Sequence, residues 1–135
     1  MKTHHWLIGI VIVWLSVLGG SLAAQTAFNK GLELINSNAA EAKTQLLIAQ
    51  QEDPAFHGTY HFLGVLYLDE NKLDSAVSCF QQAIALNPTN ANKTKEMAYM
   101  RLVDVYLYQH DFERAFATAW EAFQLFPDNL AIKQN

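Results

Sequence analysis

The chain has 135 residues, half of them apolar and 16% charged, enough for one domain. Its formal charge is −4, which argues against a nucleic-acid partner, whose phosphates need a basic stripe. A single cysteine, Cys79, excludes an internal disulfide, so stability must come from packing.

The opening stretch, MKTHHWLIGIVIVWLSVLGGSLAAQT, carries Lys2 near its start. It runs apolar from Trp6 to Leu18 and then turns to small residues. That is the layout of a secretory signal. Ser21-Leu22-Ala23 places small side chains where a signal peptidase reads, so residues 1–23 are expected to leave by a cut after Ala23, with Ala24 a close second. The expected location is the periplasm or the extracellular space. The mature chain would hold 8 basic and 13 acidic residues, a formal charge of −5. The competing reading is a retained single-pass anchor. Trp6 to Ala24 carries no charge over nineteen residues, near the ~20 that span a bilayer.

Six helices are predicted after that block, over about 25–36, 39–51, 56–69, 72–86, 95–109 and 112–125. Asn38 is the expected N-cap of the second, with Glu41 completing a capping box, and Asp111 that of the last. Tyr60, Leu63, Gly64 and Tyr67 share one face of the third helix, and Ala76, Phe80 and Ala83 one face of the fourth. Asn87-Pro88 stops that helix. The small residues matter as much as the large, because two helices approach closely only where a dent meets a bulge.

The pattern recurs. One constant shift along the chain carries Tyr60, Leu63, Tyr67, Ala76, Ala83 and Pro88 onto Tyr99, Leu102, Tyr106, Ala115, Ala122 and Pro127. Under the same shift Gly64 becomes Val103 and Phe80 becomes Ala119. In the upstream direction Ala76, Phe80, Ala83 and Pro88 become Ala42, Leu46, Ala49 and Pro54. Gly64 becomes Gly31 by a shift one residue shorter. The extra residues between Pro88 and Glu96 read as a longer loop. This pattern resembles the tetratricopeptide repeat, a helix-turn-helix unit. The resemblance implies an all-α fold: a short right-handed α-solenoid of three such repeats, at about 24–56, 57–90 and 96–129, in one domain over 24–135. The first repeat departs from the pattern, with Ala27 and Lys30 in place of Tyr60 and Leu63.

Few residues suggest chemistry. His57 and His61 stand four apart, a spacing that can bind zinc. They carry the rival reading of a metal-dependent or accessory enzyme. No third ligand is evident, and the bland reading is two polar residues on an open surface. Cys79 lies beside Phe80 as a small core residue. The pairs Glu52-Asp53 and Asp69-Glu70 fall at helix ends, where solvation explains them. No catalytic residue, metal or cofactor is expected.

The resemblance implies instead a concave face lined by the first helix of each repeat, holding a peptide or protein. The residues expected there are Phe28 and Leu32, then His61 and Val65, then Met97, Met100, Arg101, Asp104 and Tyr108. Their mixture suits a polypeptide with apolar anchors. The resemblance also leads one to expect a closing helix after the last pair. Only eight residues follow Pro127, so Phe116, Trp120 and Phe123 are expected to stay uncovered, inviting self-association.

Overall fold

The computed structural model describes residues 21–127. Most of the expected signal or anchor, and the residues from Asp128 on, lie outside the described residues. Among the described residues, six α-helices and one 3-10 turn make an all-α helical repeat fold with no strand. The helices are α1 (Leu22–Leu34), α2 (Ala39–Glu52), α3 (His57–Asp69), α4 (Leu73–Ala85), α5 (Thr94–Tyr108) and α6 (Phe112–Leu125). The 3-10 turn, Ala91–Lys93, precedes α5. α1 starts at Leu22, nearly a turn earlier than expected. The cause is Ser21, whose hydroxyl caps it by accepting from Ala24 N–H at 3.2 Å. The expected cleavage pattern therefore falls at the first turn of a helix.

The chain divides into two compact units between Pro54 and Ala55, and each is described by itself. The first holds the pair α1 and α2. Gly31 sits where these helices touch. A Cβ there would stand 2.9 Å from Leu46 Cγ and 3.3 Å from the Ala42 carbonyl oxygen. Ala42, Leu46 and Ala49 are buried on the facing side of α2. Asn38 caps α2, its Oδ1 accepting from Glu41 N–H at 3.2 Å. The second half of the expected capping box is replaced: Asn38 N–H donates to the Leu34 carbonyl at 2.7 Å, and Glu41 accepts from Gln45.

The second unit holds α3 to α6. α3 packs on α4, α4 on α5 and α5 on α6. Phe80 is fully buried, and its ring lies against Gly64. Around it, Ala76, Ala83, Ala98, Leu102, Val105 and Tyr106 close the core. In the last pair Val103 and Ala119 stand at the positions of Gly64 and Phe80 under the same shift, and both are only half-buried. Closure there comes instead from Ala115 and Ala122, with Tyr99 edge-on to Phe126 at 6.1 Å between ring centroids.

The turns repeat as well. Asn71 and His110, equivalent positions under the shift that relates the two pairs, both adopt φ 58°. In each turn the next residue donates back to a tyrosine carbonyl: Lys72 N–H to Tyr67 and Asp111 N–H to Tyr106. This left-handed stop satisfies carbonyls that a helix end leaves open. Asp111 then caps α6, accepting from Arg114 N–H at 2.9 Å. The longer connection before α5 is structured too. Buried Asn87 grips Ala91 twice, accepting from its N–H at 2.7 Å and donating to its carbonyl at 3.1 Å.

The contact at Gly64 predicts the outcome of two substitutions. A Cβ on residue 64 would lie 2.7 Å from Phe80 Cε1, too close without a shift of the ring. Gly64→Ala is expected to destabilise the second unit by about 1–3 kcal/mol through overpacking. Phe80→Ala is expected to lower it by about 3–5 kcal/mol by leaving a cavity. The two effects share one contact, so the double variant should lose less than their sum. Urea unfolding of the four chains measures this, and full additivity would mean that the helices do not meet there.

Candidate functional site

Of the expected partner-binding residues, those on α5 form an exposed stripe. Met97, Met100, Arg101, Asp104 and Tyr108 recur at helical spacing, and Leu107 lies beside them. Tyr108 is 67% exposed and Met100 53%. These are large apolar side chains left in water beside a charged pair, Arg101 and Asp104, whose nearest atoms are 3.8 Å apart. Both charged partners are half-exposed, so the pair contributes little to stability. It leaves a cation and an anion available within an apolar strip.

The α3 residues behave differently. Val65 is half-buried and packs against the core around Phe80. His61 is not on an open surface: it is 2% exposed. Its ring lies edge-on to Phe80 at 5.8 Å and to Phe62 at 5.2 Å. The reason is legible in the spacing, because His61 and Gly64 stand at i and i+3 and so share the face that meets α4. In this conformation it has no exposed surface to offer a partner. Phe28 and Leu32, in the first unit, are each half-buried on α1.

Burial also sets the ionisation of these groups. Desolvation, with the like charges of Arg101 and His57 adding to it, lowers the His61 pKa to about 4. His57 is lowered by burial as well. Both imidazoles are therefore neutral at pH 7. Nδ1 of His57, Nδ1 of His61 and Oγ1 of Thr59 are buried with no hydrogen-bond partner among the described residues. Among those same residues, no three His, Cys, Asp or Glu side chains gather as a metal site would need. Burial pushes the Cys79 thiol up to about 11, which keeps it protonated and a poor nucleophile. The Tyr99 phenol is also raised, by burial and by the Glu121 carboxylate that its hydroxyl donates to at 2.7 Å. That bond ties α5 to α6.

Residues 59–90 match the family model of the tetratricopeptide repeat. The matched repeat is α3 and α4 with the Asn87 clamp, the part of the sequence where every patterned position is filled. Among curated proteins, the E3 SUMO-protein ligase RanBP2 of Homo sapiens is 34% identical over 85 residues. RANBP2-like and GRIP domain-containing protein 8, also of Homo sapiens, is 33% identical over 85 residues. Each alignment covers 62% of this chain, but only 2% of the first protein and 4% of the second. The chain thus spans a few hundredths of the length of the curated relatives it matches.

The buried histidine of the matched segment predicts a pH dependence. Its folded pKa of about 4 lies below the ~6.5 of an unfolded histidine. Between these values the unfolded chain binds more protons, so stability rises with pH. The contribution is complete above about pH 6.5 and is lost as pH falls towards 4, by up to about 3 kcal/mol. His61→Leu keeps an apolar side chain against Phe80 and removes the titration. Unfolding free energies at pH 7 and pH 4.5 should therefore differ less in His61→Leu than in the parent. Equal differences would place the imidazole in water.

Proposed function

We infer that the chain is a protein-interaction module that holds an extended or helical segment of another polypeptide along α5. The exposed stripe of Met97, Met100, Leu107 and Tyr108 around Arg101 and Asp104 carries this reading. Apolar anchors spaced along a helix suit a partner strand or helix with matching apolar side chains. The central cation and anion would fix its direction. A tetratricopeptide repeat immediately before α5 supports the reading, since such repeats are generally sites of protein–protein interaction. His61 is buried against Phe80 and the Cys79 thiol is held protonated, so neither is placed for proton or acyl transfer.

The reading includes export. Lys2, the apolar run Trp6–Leu18 and the small residues to Ala24 support a cleaved signal, which puts the partner in the cell envelope or outside the cell. No helix among the described residues is long and apolar enough to cross a membrane. N-terminal sequencing of the protein recovered from its native host tests this part. A mature start at Ala24 or Gln25 is expected, and a start at Met1 would make the segment an anchor.

The α5 stripe is tested with a displayed peptide library selected on the full chain. Tyr108→Ala and Met100→Ala should each weaken the selected peptides, by about 2 kcal/mol for a central aromatic anchor. Unfolding should barely change, because both side chains stand mostly in water. Variants that fold and bind like the parent would remove α5 as the working surface.

A further inference from the structure

α6 carries a second apolar stripe, beside the face of Ala115 and Ala122 that is buried. Phe112, Phe116, Trp120 and Phe123 recur at helical spacing, with Phe116 73% and Trp120 53% exposed. Phe116, Ala119, Trp120 and Phe123 line a groove of about 270 Å³, and the Trp120 and Phe123 rings stack at 5.8 Å. Two of the three charged residues of α6 are occupied elsewhere, and the third, Glu113, is exposed in its first turn. Arg114 is held by Asp111 at 2.6 Å and lies over the Tyr106 ring, and Glu121 accepts from Tyr99. The stripe itself is uncharged.

The molecule contains a template for what covers such a face. The shift that carries Tyr60 onto Tyr99 also carries Leu73, Val77 and Ile84 of α4 onto Phe112, Phe116 and Phe123 of α6. On α4 those residues are partly buried against the cluster that includes Ala98, Leu102 and Val105 of α5. The corresponding face of α6 meets no helix among the described residues. It is also larger and more aromatic than its covered counterpart.

We propose that this face is an interface with a second copy of the chain, in which two α6 helices pack antiparallel about a two-fold axis near Ala119. Three observations select this occupant. The stripe is self-complementary: Phe116 and Phe123 flank Ala119 almost evenly, so the axis sets Phe116 of one copy against Phe123 of the other. The small Ala119 lets the helices approach. An uncharged face also meets its own copy without like-charge repulsion. Head-to-tail stacking on α1 is disfavoured, because α1 presents Lys30 and Glu33 where α5 presents Leu102 and Val105. That leaves the closed, isologous arrangement.

Cysteine cross-linking of the full chain tests the geometry. In a Cys79→Ser background, Ala119→Cys should give a disulfide-linked dimer on oxidation. Ser75→Cys, exposed on α4, should not. Adding Phe116→Glu should abolish the Ala119→Cys dimer while helical circular dichroism is unchanged, since residue 116 lies mostly in water. Absence of the dimer overturns the proposal. So does a dimer that survives Phe116→Glu, or equal cross-linking at both positions. A dimer that forms only after residues 128–135 are deleted would assign the stripe to the chain's own end, and overturns it equally.

Discussion

The contact on which the second unit depends is the Phe80 ring lying on Gly64. It is a matter of space. The only side chain that fits at residue 64 is none, and the aromatic opposite fills what glycine leaves. This fixes how closely α3 approaches α4. It also fixes what else lies in that layer, so His61, one turn before Gly64, must rest on the same ring. A titratable side chain is thereby drawn into a dry place by a steric need of its neighbours. The first unit uses the same device with Gly31 and Leu46.

The two exposed stripes follow from which helices have neighbours among the described residues. Each helix in the middle of the second unit has a neighbour on two sides, and its apolar residues are covered accordingly. α5 has α3, α4 and α6 as neighbours, which leaves one open side, where methionines and Tyr108 stand in water beside an ion pair. α6 has α5 alone among the described residues of its unit. Its free side keeps the apolar pattern of a covered helix, and two of its charged residues, Arg114 and Glu121, are engaged with Tyr106 and Tyr99 of α5. The two surfaces differ in kind. The α5 stripe mixes charge with flexible methionine and suits a foreign chain. The α6 stripe is aromatic, uncharged and self-complementary.

Most of the fold was legible because helix packing writes itself into spacing. The shift from Tyr60 to Tyr99 located both later helix pairs, and the Asn87-Pro88 and Asp111 signals located their ends. Legibility failed where a residue's environment came from across a turn. His61 read as an open-surface residue because its polarity was weighed above its place on the Gly64 face. The helix start at Leu22 was missed because Ser21 was counted as part of a cleavage pattern, when its hydroxyl also caps a helix. In the last pair the exchange of Gly64 and Phe80 for Val103 and Ala119 showed that closure would differ. It could not show that Tyr99, Glu121 and Phe126 would supply it.

The clamp at Asn87 has a consequence for engineering. Its side chain holds Ala91 from both directions, and Asn90 Oδ1 accepts from Glu96 N–H at 3.1 Å. The short lobe between them is thus pinned on both sides, while Asn92 and Lys93 at its tip are exposed and bear left-handed backbone. Loop tips of this kind accept inserted sequence because the strain stays local. A reporter or affinity segment spliced between Asn92 and Lys93 would leave the helices on either side in register. It would also keep both the α5 and the α6 stripes free for observation.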